Sequence, residues 1–357
     1  SSDVCSSDLT FIHGGRMDKI RLGRTELMVT ACSFGALPVQ RRGVEDAVKL
    51  LRKAYDGGIN YFDTANMYTD SEMKLGLALS DVRHNIVIST KSGGKDKATV
   101  TGHIENSLRM LKTDYIDLFQ FHNPAAMPMP DDENGPYAAA LEAKKKGYIR
   151  HIGITNHRLK LAQSCIDSGL FETMQFPFSY IGTAEEIDLA RRCKEADMGF
   201  IAMKGLAGGL LNNAKACMNF IKQYDNVVPI WGIQTEEELD EWLALENAGD
   251  FAITDEIKAI IERDRKELCG NFCRSCGYCL PCPAGIDIPQ AARMSRLLRR
   301  SPYKPYMSDE WHKKMHMIDD CRGCGACASR CPYGLNTPKL LKEMLADYDE
   351  FYAEHKD

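Results

Sequence analysis

The 357-residue chain lacks any apolar run long enough to span a bilayer, which excludes a membrane-spanning helix. It also lacks a charge excess of one sign. With 45 basic against 50 acidic side chains the formal net charge is −5, so no global basic surface points to nucleic acid. Residues 1–16 contain no apolar core of the kind a secretory signal needs, and no helical or strand period. No G-x-G-x-x-G follows the first strand candidate, which weakens a doubly wound dinucleotide-binding sheet. What is abundant is cysteine: 14 residues, nine of them between Cys269 and Cys331. Confined to one end of a long, enzyme-like chain, that density points to metal rather than to a disulfide scaffold.

Met17 opens a plausible start, MDKIRLGRTELMVTACSFGA. One reverse translation of residues 3–9 (DVCSSDL) reads as a common sequencing adapter, so residues 1–16, with Cys5, are expected to be a non-native leader. A disordered native leader is the alternative.

From residue 29 onward, short apolar runs alternate with amphipathic segments. Strands are expected at 29–34, 59–64, 85–90, 115–122, 149–156, 172–179, 198–204 and 226–233. The intervening segments, such as VEDAVKLLRKAYDGG and EEIDLARRCKEAD, carry apolar residues three and four apart. Continuous apolar strands imply burial on both faces, as in a parallel sheet. Eight such units are the length of a (β/α)8 TIM barrel, placed at 17–252.

In a barrel, chemistry gathers at the C-terminal strand ends. Those ends supply Asp63, Lys91 and His122, with Tyr68 five residues past Asp63 in the second βα loop. A phenol is a weak acid near neutrality unless a cation lowers its pKa. Lys91 is expected to be that cation, with Asp63 holding it in place and His122 sharing a proton with a carbonyl oxygen. Taken singly, each residue has a plainer reading as a turn, cap or solvated side chain; the ordered set carries the inference.

The pieces FDTANMY, STKSG, QFH, GITN (Asn156) and MQF (Gln175) resemble the aldo-keto reductases in order and spacing. The resemblance implies a nicotinamide cofactor, NADP or NAD, bound without a dinucleotide fold, with Asn156 and Gln175 holding its carboxamide. It further implies Tyr68 as proton donor, supported by Asp63, Lys91 and His122, and a small carbonyl or alcohol substrate. Two places depart from the family pattern. Met203 and Lys204 stand where an aromatic usually stacks on the nicotinamide, and Glu236, Glu237, Glu238 and Trp242 stand near the expected adenosine end.

The segment 253–357 carries C-x2-C-x2-C-x2-C-P (Cys273, Cys276, Cys279, Cys282) and C-x2-C-x2-C-x3-C-P (Cys321, Cys324, Cys327, Cys331). Each close triplet suits three corners of one cubane, while the cysteine before Pro reaches the other cluster. Two [4Fe–4S] clusters are therefore expected, one on Cys273, Cys276, Cys279 and Cys331, the other on Cys321, Cys324, Cys327 and Cys282. Two zinc sites are the rival, although zinc ribbons use isolated C-x2-C pairs. Helical patterns between and after the motifs make the module resemble α-helical dicluster ferredoxin domains, with the last helix packing back over it. Arg293, Arg296, Arg299, Arg300 and Lys304 are read as a face for an acidic electron-transfer partner or, more plainly, a solvated helix face. Cys32, Cys165, Cys193 and Cys217 read as small buried residues, and Cys269 as a spare thiol left out of the ligand set.

A nicotinamide moves two electrons as hydride and a cluster moves one at a time, so something must split the pair. A flavin is the usual device, yet no flavin motif is present, and a flavoprotein partner is the other way to supply one. The expected function is an oxidoreductase acting on an aldehyde, ketone or alcohol, with the two clusters in an electron-transfer or a structural module. The alternative is an electron-carrier protein whose barrel binds a partner or another redox cofactor. Thiolate-bound clusters imply a reducing cytoplasm.

Overall fold

The computed structural model describes residues 17–268 and 272–356, so the expected leader and Cys269 lie outside the described residues. Among the described residues there are ten strands: β1 Lys19–Arg21, β2 Met28–Thr30, β3 Ser33–Gly35, β4 Tyr61–Asp63, β5 Val87–Ser92, β6 Ile116–His122, β7 Ile149–Thr155, β8 Thr173–Pro177, β9 Gly199–Met203 and β10 Val227–Gly232. Strands β3 to β10 close a parallel barrel in chain order, with β10 returning to β3. Every residue of β3, β4 and β5 is buried, as a sheet wrapped inside and out requires.

The first expected strand, 29–34, is divided. Val29 and Thr30 pair antiparallel with β1, and only Ser33 and Phe34 of that run belong to the barrel. The hairpin plugs the N-terminal end of the barrel. Leu22 and Val29 pack with Tyr61, Val87, Leu118, Ile201 and Val228, and Gly23 bridges Met198. Gly23 has φ +54°, and a Cβ there would lie 2.2 Å from the Gly199 nitrogen, so no other residue fits that approach.

The C-terminal module is helical: Ile288–Ala291, Met294–Arg300, Asp309–His316, Ala326–Ser329 and Thr337–His355. Pro338 at the first turn and the Asn336 side chain accepting from Lys339 N start the last helix. Its inner face, Leu341, Met344, Leu345, Tyr348 and Tyr352, is buried over the module as expected. Met294, Leu297, Ile318 and Leu341 join the same contiguous apolar core as the barrel's outer layer.

The module sits on the C-terminal mouth of the barrel, clamped by the loops after β7, β8 and β9. Arg300 Nε donates to Leu210 O at 2.8 Å, and its other nitrogens bind Asp264 and Glu267. Arg293 donates to Gly208 O, and Arg274 pairs with Glu186 at 2.7 Å. Gly208 adopts φ +71°, which favours glycine, and a Cβ there would lie 3.0 Å from Arg293 Nη1. The basic run is therefore divided: Arg293 and Arg300 bind barrel loops, Arg299 pairs with Asp347 of the last helix while staying half exposed, and Lys304 is exposed. Arg293 and Arg300 thus tie the module to the loop after β9 through its carbonyl oxygens.

Candidate active site and cluster cavities

Strand ends bring the four expected catalytic residues together. The Lys91 ammonium donates to Asp63 Oδ2 at 2.5 Å and to Thr64 O at 2.6 Å. Asp63 also accepts from the Ser89 hydroxyl at 2.6 Å and from Gln120 Nε2 at 3.3 Å. The Tyr68 ring lies above this pair, its centroid 5.3 Å from Lys91 Nζ. His122 meets Tyr68 edge-on, with centroids 5.7 Å apart.

The electrostatics differ from the expectation in one respect. The Lys91 cation does not bring the Tyr68 phenol below its usual value. Burial, then the Asp63 charge and the neighbouring Tyr278, hold its pKa well above the usual value. The Lys91 charge is already matched by Asp63 at contact distance. Tyr68 is thus kept in its proton-bearing form. Burial, then the Lys91 charge, pushes the His122 imidazole down to about 3, so it is neutral near pH 7. Its Nδ1 is buried and has no hydrogen-bond partner.

Asn156 and Gln175 both lie buried at the barrel mouth. Asn156 accepts from Arg158 N at 2.7 Å and donates to Pro124 O at 3.4 Å. Gln175 accepts from Gln120 Nε2 at 2.9 Å and donates to Met203 Sδ at 3.7 Å. These bonds leave amide capacity on both residues, and Gln120 Oε1 is a buried acceptor without a partner. Such a row of amides suits a carboxamide. Lys204 is different. With φ +58° its side chain leaves the mouth and donates to Arg274 O at 3.0 Å and Ser275 O at 2.8 Å, inside the first cysteine loop. Burial, opposed by the nearby Cys276 thiol, brings its ammonium down to about 8. Where the adenosine end is expected, two of the three acids are engaged: Glu236 pairs with Lys53, and Glu238 caps its own helix through Gln234 N and Thr235 N. Trp242 stacks on Trp231 at 3.9 Å.

Three residues near the site escaped the sequence reading. His157, directly after Asn156, lies 2.7 Å from the Tyr333 hydroxyl through Nδ1. Tyr278 packs edge-on against the same imidazole, with centroids 5.2 Å apart. Tyr278 stands between Cys276 and Cys279, and Tyr333 follows Cys331 by two, so cluster-loop residues reach into the barrel mouth. The signal was present in C-G-Y-C and C-P-Y, where an aromatic interrupts otherwise small residues.

The eight motif cysteines line two cavities. One is bounded by Cys321, Cys324 and Cys327 together with Cys282 and Cys279. The other is bounded by Cys273, Cys276 and Cys279 together with Cys331. Each triplet therefore meets the pre-proline cysteine of the opposite motif. Gly277, at φ +81°, lets the chain fold Cys276 and Cys279 around one cavity. Burial raises the thiols of Cys273 and Cys276, and that of Cys279 to about 12. Converging thiols of this kind, mostly half-buried with Cys324 exposed, call for a cationic guest, and the donor set fits iron–sulfur ligation. Cys32, Cys165, Cys193 and Cys217 are free and buried and line neither cavity.

The Aldo/keto reductase family model matches residues 34–221, more than half of the chain. The chain belongs to the aldo-keto reductases. A second model, the 4Fe-4S dicluster domain, matches residues 272–336. Among curated relatives, this aldo-keto reductase is 29% identical to the oxidoreductase YqkF of Bacillus subtilis, over 55% of its own length and 67% of that protein. It is 32% identical to L-galactose dehydrogenase of Arabidopsis thaliana, over 53% and 66%. The chain thus spans about two thirds of these relatives. Among solved structures, the aldo-keto reductase AKR11C1 from Bacillus halodurans superposes with TM-score 0.60 at 21% identity, covering 70% of this chain and 96% of that one. An aldo-keto reductase from Klebsiella pneumoniae in complex with NADP and acetate gives 0.60 at 23% identity, over 69% and 95%. At those identities the likeness is one of fold. No helix among the described residues is long and apolar enough to cross a membrane.

Proposed function

We propose that the chain reduces a small aldehyde or ketone, or oxidises the corresponding alcohol, with a nicotinamide cofactor, and that its C-terminal module holds two [4Fe–4S] clusters. The observation that carries the reading is the Asp63–Lys91 pair, 2.5 Å apart, beneath the Tyr68 and His122 rings. When bound, the nicotinamide supplies hydride to the carbonyl carbon. Tyr68, held protonated, gives its proton to the carbonyl oxygen, and neutral His122 offers a ring nitrogen to the same oxygen. Asp63 keeps Lys91 fixed under the phenol, where the ammonium stabilises negative charge developing on it. Asn156 and Gln175 orient the carboxamide, with Met203 beside them; Lys204 serves the cluster loop instead. We read 17–252 as the catalytic barrel and 253–357 as the cluster module.

The iron–sulfur module closes the mouth in place of an aromatic after β9. Tyr278, Tyr333 and His157 form the packed layer between the Cys273–Cys331 cavity and the barrel residues. This layer also supports a second reading, in which the barrel serves chiefly to carry an electron-transfer module, with a flavin or flavoprotein splitting the electron pair. Anaerobically purified full-length protein tests both. The first reading expects about eight irons per chain and oxidation of NADH or NADPH on addition of a small aldehyde or ketone. Cluster bleaching by nicotinamide without turnover of any carbonyl would favour the second.

A further inference from the structure

Between two helices of the module, two histidines and a carboxylate converge. His312 and His316 lie four residues apart on the Asp309–His316 helix, with ring centroids 4.5 Å apart. Asp349 comes from the last helix, and the ligand atoms of all three lie within 4.8 Å of one another. His316 Nε2 is 3.1 Å from Asp349 Oδ1. In a tetrahedral zinc site with ligands near 2.0–2.1 Å, neighbouring ligand atoms are about 3.3 Å apart, so this pair already spans one edge.

Two further features fit a metal. The other nitrogen of His316, Nδ1, lies 2.8 Å from Asp319 Oδ2. A carboxylate behind an imidazole fixes the tautomer that presents Nε2 to an ion and raises its basicity. His312 has a buried Nδ1 with no partner and is held flat by stacking on Tyr352, with centroids 4.2 Å apart and planes at 18°. A buried ring nitrogen left unpaired is costly unless something takes it up.

From these residues we infer a site for a borderline divalent cation of the zinc type, held by His312, His316 and Asp349, with water completing the coordination. Bound there, the ion ties the Asp309–His316 helix to the last helix. It draws on no motif cysteine. Imidazole and carboxylate donors together suit Zn²⁺, whereas Mg²⁺ or Ca²⁺ would want oxygen donors only.

The test uses cluster-loaded, full-length protein dialysed anaerobically against Zn²⁺, with zinc counted by mass spectrometry and its neighbours read by zinc K-edge absorption. The expected result is about one retained zinc per chain with N/O neighbours near 2.0–2.1 Å and imidazole scattering. His316→Ala and the milder Asp349→Asn should each abolish retention with iron unchanged. Asp319→Asn should weaken it by about 10–100-fold. No retained zinc would mean that the cluster is a set of ion pairs only and would overturn the inference. So would sulfur neighbours at about 2.3 Å, or zinc retained equally by both ligand variants.

Discussion

The Lys204 ammonium lies 2.8 Å from the carbonyl oxygen of Ser275, which joins the end of a barrel strand to the loop carrying Cys273, Cys276 and Cys279. In the family pattern that position faces the nicotinamide. Here it faces the cysteines, and the nearby Cys276 and Cys273 thiols pull its pKa upward against burial.

A fixed cation beside a cluster stabilises the reduced, more negative state. Lys204→Met should therefore lower the midpoint potential of the cluster nearer the barrel by roughly 60 mV, a tenfold change for one electron. Lys204→Arg should restore most of it. An EPR-monitored redox titration reads the shift, and unchanged potentials would contradict this placement of the charge.

The crossed arrangement of cysteines makes a second prediction. Cys276→Ala and Cys331→Ser should damage the same cluster, each taking iron from about eight to about four per chain and removing the same EPR signal. Cys282→Ser should instead affect the other signal. If Cys331→Ser and Cys282→Ser removed the signals in the opposite assignment, ligation would be confined within each motif.

The Asp63–Lys91 pair is buried, so removing one partner leaves an uncompensated charge. Lys91→Met should cost about 3–5 kcal/mol of stability, read by anaerobic urea unfolding, and also lower turnover. A double Asp63→Asn, Lys91→Met variant should regain part of the stability but none of the activity. Equal stability of the single and double variants would argue against the pairing.

Acid should destabilise the barrel through its buried imidazoles. His122 is held neutral down to about 3 by burial and the Lys91 charge, and burial also pushes His157 well below the usual value. Below about pH 6.5 the unfolded chain takes up protons that the native chain does not, so stability falls as pH drops from 6.5 towards 3. Each histidine contributes up to about 1.4 kcal/mol per pH unit in that window. Urea midpoints at pH 7 and 5.5 should differ by less in His122→Asn than in the parent chain. An identical difference would show that His122 is not held neutral.

Much of the site was legible because its chemistry is written in short, ordered segments. FDTANMY, STKSG and QFH each end a strand, and strand ends of a barrel must converge. The last helix, 337–355, was readable from its apolar spacing and a proline start. Other features depend on contacts between distant segments. Val29–Thr30 reads as continuous with the first barrel strand, yet it pairs back on Lys19–Arg21, because Leu22 and Val29 fill the open barrel end. The arginine run looks like a solvated face until the loops after β9 supply the carbonyls of Gly208 and Leu210. Tyr278 and Tyr333 appear as spacers in cysteine motifs, and only the docking of the module against His157 gives them a place beside the barrel mouth.

The central claim is that Tyr68 donates the proton in a carbonyl reduction carried out by the barrel. Tyr68→Phe keeps the ring that packs on His122 and lacks only the hydroxyl. Steady-state oxidation of NADH or NADPH with a small aldehyde or ketone, run beside an iron count, is the direct measurement. The account predicts a fall in kcat of at least about 10²-fold with iron unchanged. Turnover retained at the parent rate would contradict it.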